Sequence, residues 1–169
     1  MPTLYTMTAV AALALVGLAA VTDVIRWQIP DWISIVVVVL AAVFGVAAPD
    51  FAWWSHTLAP CLMFGFGLLA FSRGWLGGGD VKLMTAVAAW TGVSALPIVF
   101  VAIAVAGGVL TLIITGWHRA RRRAPTTHVP YAVAIAAGTL WWLAASGGGP
   151  LGGLHPIGDQ RPVPRASAT

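Results

Sequence analysis

Long runs of apolar residues, separated by short polar stretches, dominate the chain and predict its elements. A run of about 20 residues is what an α-helix needs to cross the hydrocarbon core of a bilayer. The fourth run is short for a crossing, and Pro97 is expected to mark the start of the fifth helix. The pattern gives six candidate spans, at residues 4–21, 33–48, 57–71, 81–91, 95–117 and 129–145.

Composition agrees with this pattern and argues against a soluble protein. The 169 residues are 59% hydrophobic and only 8% charged, which is outside the range of soluble domains. The sequence therefore predicts an all-α fold, a polytopic membrane helix bundle of about six transmembrane helices over residues 1–146. Residues 147–169 are rich in Gly and Pro and lack apolar periodicity, so they are predicted to be a disordered tail.

The basic residues predict how the bundle is oriented. Most of the nine Lys and Arg residues follow spans one, three and five, which places those loops in the cytoplasm and both termini outside. Tryptophans cluster near both ends of the predicted spans, as expected for residues at the two membrane interfaces. The basic residues in these loops are Arg26, Arg73, Lys82, Arg119, Arg121, Arg122 and Arg123.

Two of the five acidic residues lie at the edges of predicted spans. Asp23 ends the first span, and Asp80 begins the fourth. An ionised group at such a position is costly and suggests function. The predicted topology puts both carboxyl groups on the same side, where helix packing could bring them together. Two carboxyl groups that share one proton can activate water and polarise a peptide carbonyl, as peptide hydrolysis requires.

The residues around Asp80 suggest how a substrate chain would bind. Gly77, Gly78 and Gly79 let the backbone bend and let a substrate approach it closely. Lys82 is two positions from Asp80, so on a helix it points away from that carboxylate and towards lipid headgroups or a substrate. We therefore expect the three glycines and Lys82 to bind substrate.

The acidic residues also have purely structural interpretations. Asp80 could be the N-cap of its helix. Asp23 could cap the helix that starts near Trp32, or it could pair with Arg26. Asp31 is expected to be a helix N-cap. The local sequence alone leaves these alternatives open.

No other set of residues predicts a catalytic or metal centre. Cys61 is the single cysteine, and the four histidines lack the spacing of metal ligands. We therefore expect no cofactor, no metal and no dependence on reducing agents. The basic residues are too few for nucleic-acid binding and follow the membrane topology instead.

Three segments, in order, resemble the type IV prepilin peptidase family. Residues 23–32, an Asp followed by Ile-Pro, resemble its first catalytic segment, although Asp31 stands where the family usually has Asn. Residues 77–83, Gly-Gly-Gly-Asp-Val-Lys-Leu, resemble its Gly-x-Gly-Asp segment with a following Lys. Residues 129–138 resemble its late helix start at Pro-Tyr or Pro-Phe.

The resemblance implies an aspartyl endopeptidase of the inner (cytoplasmic) membrane that cleaves the leader peptides of prepilins on the cytoplasmic side. Asp23 and Asp80 would be its catalytic pair. The expected partners are prepilins, membrane lipid and the pilus assembly machinery. The sequence has a single Cys and no Cys-x-x-Cys pair, so the N-terminal domain that carries these pairs in larger members is not expected. The chain therefore resembles the peptidase-only branch that serves tight-adherence (Flp-type) pili, and N-methyltransferase activity is not expected.

Three other functions stay open at this point. A small transporter or proton-conducting subunit could use the same two carboxyl groups as protonatable sites. A non-catalytic subunit of a secretion apparatus would tolerate the loss of either one. A protease of the wider Gly-x-Gly-Asp class could act on a substrate that is not a pilin.

Overall fold

The computed structural model describes residues 2–48, 51–121 and 129–145, which form helices joined by short connecting segments. No β-strand occurs in these residues, so the predicted all-α fold is confirmed. The predicted tail, residues 147–169, and the basic loop at residues 122–128 lie outside the described residues. The helices are α1 Pro2–Arg26, α2 Asp31–Ala47, α3 Trp53–Ser72, α4 Gly78–Ala120 and α5 Tyr131–Ala145.

Helix α4 consists of two helical segments that meet at Gly92. This residue has φ 68° and ψ 176°, a backbone conformation that L-residues with a side chain rarely adopt. The N-terminal segment is residues 78–91 and the C-terminal segment is residues 93–120. With α4 divided in this way, the six helical segments coincide in position and order with the six predicted spans.

Contacts with α3 show that the chain reverses direction at this break. Near the C-terminal end of α3, Val81 packs against Gly67, where an added Cβ would be 2.6 Å from the valine Cγ1. Near the N-terminal end of α3, the Val93 N–H donates a hydrogen bond to Ser55 Oγ at 2.9 Å. The N-terminal segment of α4 is therefore antiparallel to α3.

The C-terminal segment of α4 returns along the bundle. Phe100 packs edge-on against Phe66 of α3, with ring centroids 4.8 Å apart. The expectation that Pro97 starts this helix is wrong, because Pro97 lies inside the segment and the break is at Gly92. The reversal needs a positive φ, which glycine adopts readily and proline cannot.

Close packing in the bundle uses small residues at the helix contacts. α4 packs against α2, α3 and α5, and α1 packs against α2 and α5. A Cβ on Gly138 of α5 would be 2.7 Å from the backbone nitrogen of Ile103, so glycine lets the two helices approach closely. The largest fully buried side chains include Ile33, Leu83 and Ile135, which belong to one apolar core.

The helices identify an integral membrane protein. Three regions are long and apolar enough to cross a bilayer, namely Thr6–Arg26, Trp53–Ser72 and Gly78–Ala120. The helices Asp31–Ala47 and Tyr131–Ala145 are apolar but shorter, at about 26 and 23 Å against a hydrocarbon core of about 30 Å. Many large apolar side chains are exposed around the bundle, as a lipid-facing surface requires. The predicted total of about six crossings stays a prediction.

Candidate active site

Four helix ends meet at one end of the bundle and build a polar site in an otherwise apolar protein. They are the C-terminus of α1 and the N-termini of α2, α4 and α5. The last turn of α1 carries Asp23, and the first turn of α4 carries Asp80. Both carboxyl groups line a cavity of about 500 Å³. The sequence-based expectation that the two aspartates come together is therefore met by the fold.

Asp23 is held by the start of α5. Its side chain is buried, with 8% of its surface exposed, and its Oδ2 accepts a hydrogen bond of 3.1 Å from the Ala132 N–H. The first N–H groups of a helix have no partner within the helix and carry partial positive charge, so they stabilise a carboxylate. Neither structural alternative is found, since Asp23 does not cap α2 and does not pair with Arg26 in the described structure.

Asp80 is held by its own helix. Gly77 is the N-cap of α4 and Asp80 is the third helical residue, so the alternative that Asp80 is itself the N-cap is not found. Its Oδ2 nevertheless accepts a hydrogen bond of 3.2 Å from the Gly77 N–H, as the acid of a capping box does. This hydrogen bond holds one oxygen of the Asp80 carboxyl group against the start of α4.

The two carboxyl groups are near enough for the charge of Asp23 to act on Asp80. Two carboxyl groups that interact in this way can share one proton. The cavity between them is bounded on one side by the loop that joins α1 to α2, including Gln28 and Ile29, and on the other by the three glycines. Such a pair of carboxyl groups can act as a general base and a general acid on a chain that enters the cavity.

The three glycines differ in what surrounds them. A Cβ on Gly77 would be 2.9 Å from Asp80 Oδ2, and a Cβ on Gly79 would be 3.1 Å from Ile29 Cβ. A Cβ on Gly78 would make an ordinary contact of 3.7 Å with Phe71. All three line the cavity, which agrees with the expected role in substrate binding without testing it.

Lys82 points away from Asp80, as expected from its position on the helix, and forms an ion pair. Its Nζ is 2.8 Å from Asp31 Oδ1, and both side chains are at least half exposed. The expectation that Asp31 caps α2 is wrong. Pro30 is the N-cap, and Asp31 is the first helical residue and makes no capping hydrogen bond. The pair instead joins α2 to α4 beside the cavity.

Two parts of the site were missed by reasoning from the sequence. The Ala132 N–H is a backbone group 109 positions from Asp23, and no residue type marks it. The loop between α1 and α2 lines the cavity because Trp27 turns the chain with a φ of 56°. The sequence signal for the first of these is the Pro130-Tyr131 helix start, because the free N–H groups at the start of α5 are where a carboxylate can bind.

Comparisons with known proteins agree with this geometry. The model of the type IV leader peptidase family matches residues 10–112. The chain is 37% identical over 102 residues to a prepilin leader peptidase/N-methyltransferase of Burkholderia pseudomallei (strain 1026b), covering 60% of this chain and 31% of that protein. It is 31% identical over 136 residues to the protein of the same name from Bacillus subtilis (strain 168), covering 78% and 53%.

The chain thus spans about a third to a half of the length of these curated relatives. No solved structure matches it. The family match covers more than half of the chain and includes both Asp23 and Asp80. This protein therefore belongs to the type IV leader peptidase family.

Proposed function

We propose that this protein is an aspartyl endopeptidase that cleaves the leader peptides of prepilins, with Asp23 and Asp80 as its catalytic pair. The observation that carries the proposal is the position of these two carboxyl groups on one cavity at one end of the bundle. Family membership supports the reaction, and the names of the relatives support the substrate class.

The pair hydrolyses a peptide bond by general acid–base catalysis. The ionised carboxylate removes a proton from a water molecule as the water oxygen attacks the peptide carbonyl carbon. The protonated carboxyl group donates its proton to the carbonyl oxygen, which gives a tetrahedral diol. When the C–N bond breaks, a proton passes to the leaving nitrogen and the pair regains its single shared proton. Water and the two carboxyl groups balance the reaction without any other group.

We place the reaction on the cytoplasmic side of the inner membrane. Arg26 lines the cavity, and Lys82 and Arg73 lie at the same end of the bundle. An excess of Lys and Arg in loops marks the cytoplasmic side of a membrane protein. The expectation that the chain lacks N-methyltransferase activity stays a prediction, and the mass of the new N-terminus of the cleaved prepilin measures it.

The test is cleavage of a purified prepilin by the reconstituted protein, followed by gel shift. Asp23→Asn and Asp80→Asn keep the shape of each side chain but remove its titration, so each should lower kcat by about a hundredfold or more. Asp31→Asn is the control, because it removes a carboxylate from the same cavity but leaves Asp23 and Asp80 in place. Its kcat should fall far less than that of Asp23→Asn or Asp80→Asn. Substantial cleavage by either variant of the pair contradicts the proposal and favours a transporter or an assembly subunit.

A further inference from the structure

The position of the Asp23 carboxyl group depends on α5 as well as on its own helix. Its Oδ2 accepts a hydrogen bond from the Ala132 N–H, and both residues are buried. Ala132 has no exposed surface, so water cannot take the place of Asp23 as the partner of this group. A shift at the start of α5 would therefore move the Asp23 carboxyl group or break its hydrogen bond.

The N–H group that Asp23 accepts belongs to the peptide unit that joins Tyr131 to Ala132. Tyr131 is the first residue of α5. Because a peptide unit is planar and rigid, its N–H turns with the two residues that it joins. The contacts that hold Tyr131 in place therefore help to direct this N–H towards Asp23.

Two close contacts hold α5 against the C-terminal segment of α4. One is at Gly138, where an added Cβ would be 2.7 Å from the backbone nitrogen of Ile103. The other is at the start of α5, where the Tyr131 ring lies on Gly107. A Cβ added to Gly107 would be 2.8 Å from Tyr131 Cζ and from its hydroxyl oxygen. The two contacts are about two helical turns apart along α5, so the contact of Tyr131 with Gly107 is the one at the end beside Asp23.

The Tyr131 side chain lies outside the active-site cavity. It lines a separate cavity of about 150 Å³, together with Met84 and Phe100. Tyr131 is not among the described residues that line the cavity of the two aspartates. A substrate in the active-site cavity would therefore not touch the Tyr131 ring, and a change of this ring should alter the rate of the reaction rather than substrate binding.

We propose that Tyr131 is a positioning residue for Asp23 and that Gly107 is the surface against which its ring is held. Glycine is needed at position 107 because a side chain there would push the ring, and with it the start of α5, away from α4. A displacement of a reacting group by about 1 Å can lower the rate a hundredfold. The effect on catalysis rests on the proposed function, whereas the effect on the hydrogen bond does not.

The first test compares two neighbouring glycines of α4. Gly107→Ala places a methyl group against the Tyr131 ring, whereas Gly108→Ala places one where nothing lies within 4 Å. In prepilin cleavage, Gly107→Ala should lower kcat about tenfold and leave KM within about twofold of the wild type. Gly108→Ala should match the wild type in both. Equal kcat values of the two variants, or a loss confined to KM, overturn the inference.

Variants of Tyr131 show whether Gly107 acts through the ring. Tyr131→Ala should lower kcat about thirtyfold. Tyr131→Phe keeps the ring atoms that face Gly107, so its kcat should stay within about threefold of the wild type. In the Tyr131→Ala background, Gly107→Ala should have no further effect, because the methyl group has no ring to displace. Independent, multiplicative losses in the double variant overturn the inference.

Phe100→Ala is the control for a general loss of packing, because Phe100 lines the same separate cavity as Tyr131. This variant should lower the melting temperature, as removal of a buried ring does, and should leave kcat near the wild-type value. A loss of kcat in Phe100→Ala as large as that in Tyr131→Ala would show that the activity follows packing in general, and it overturns the inference.

A second measurement observes the hydrogen bond itself and needs no substrate. Tyr131-Ala132 is the only Tyr-Ala pair in the sequence, so labelling tyrosine carbonyl carbon with ¹³C and alanine nitrogen with ¹⁵N isolates the NMR signal of the Ala132 N–H. N–H groups in the first turn of a helix have no partner within the helix, so slow hydrogen exchange of this signal reports the bond to Asp23. Exchange should be at least about tenfold faster in Gly107→Ala and in Asp23→Ala and unchanged in Gly108→Ala.

The outcomes separate the role of Tyr131 from the catalytic proposal. If Asp23→Asn and Asp80→Asn cleave normally, the proposed function fails, and the exchange of the Ala132 N–H still decides whether Tyr131 positions Asp23. If those two variants are inactive but Gly107→Ala keeps the wild-type exchange rate, only the positioning role is refuted. Faster exchange in Gly107→Ala with an unchanged kcat would show that the contact holds α5 without any effect on catalysis, and it too overturns the inference.

Discussion

Gly77 and Gly78 are neighbours in the sequence, but their surroundings predict different consequences of the same substitution. A Cβ on Gly77 would stand 2.9 Å from the carboxylate oxygen of Asp80, whereas a Cβ on Gly78 would be 3.7 Å from Phe71. Gly77 has φ −75° and ψ 152°, which alanine adopts without strain. The conflict at Gly77 is therefore with the proposed catalytic group alone.

We predict that Gly77→Ala lowers kcat about a hundredfold with little change in stability. The Asp80 carboxyl group has to move away from the added methyl group, and small displacements of a reacting group have effects of this size. Gly78→Ala is the matched comparison, because it adds a methyl group to the same cavity without displacing Asp80, and it should lower kcat much less than Gly77→Ala. Prepilin cleavage and thermal unfolding in detergent measure both effects. Equal activities of the two variants would show that the position of Asp80 is not set by this contact.

The acidic residues also show how far a sequence determines a site. The assignment of Asp23 and Asp80 to the same side followed from counting apolar runs, because each crossing reverses the direction of the chain. The hydrogen-bond partner of Asp23 could not be predicted from the sequence, because the Ala132 N–H is a backbone group that every residue except proline has. The role of Asp31 did not follow either. Its ion pair with Lys82 joins residues 51 positions apart on two helices.

At the scale of elements, the Asp31–Lys82 ion pair connects α2 to α4 beside the active site. Both side chains are at least half exposed, so the interaction is screened by solvent. We predict a coupling free energy of about 0.2–1 kcal/mol from a double-mutant cycle of Asp31→Asn and Lys82→Gln on unfolding. The expectation that Lys82 binds substrate is tested in parallel, because Lys82→Gln should then raise KM while Asp31→Asn does not. Equal changes in KM would assign both residues to holding the helices.

The reversal of α4 at Gly92 is the part of the fold that the apolar pattern located only approximately. The pattern separated the fourth and fifth spans but placed the start of the fifth at Pro97. The structure needs a positive φ five residues earlier, within the packing contact with α3. No local composition marks that position, since 19 glycines occur in the chain and only Gly74 and Gly92 have a positive φ among the described ones.

We predict that Gly92→Ala lowers the free energy of unfolding by about 1–3 kcal/mol. The substitution forces a residue with a side chain into φ 68°, and its Cβ would be 2.9 Å from Ser55 Oγ and 3.2 Å from His56 Nε2. Gly108→Ala is the control, because nothing lies within 4 Å of an added Cβ there. That variant should be as stable as the wild type or slightly more stable. Thermal unfolding in detergent measures the stability of both variants. Equal losses of stability would contradict a reversal of the chain that depends on the positive φ of Gly92.

At the scale of the whole molecule, the end of the bundle that carries the cavity is also its basic end. Arg26 lines the cavity, and Arg73 lies over the ring of Trp75 at 5.6 Å. The C-terminal segment of α4 extends past the start of α5, and Arg121, the residue that follows it, lies over the ring of Trp117 at 4.2 Å. Pairs of Arg and Trp suit a membrane interface, where the ring stays in the apolar region and the charge reaches water.

The proposed orientation can be tested at the two ends of α3. In a Cys61→Ser background, Ala52→Cys places a single thiol before the helix, and Ser72→Cys places one at its C-terminal end, where both native residues are exposed. A membrane-impermeant thiol reagent should label Ala52→Cys in intact cells and Ser72→Cys only after the membrane is disrupted. Because Val81 packs against Gly67 near that same C-terminal end, the Ser72 side is also the side of Asp80. Labelling of Ser72→Cys in intact cells would place the carboxyl pair outside, where a peptidase could not meet a prepilin before its export.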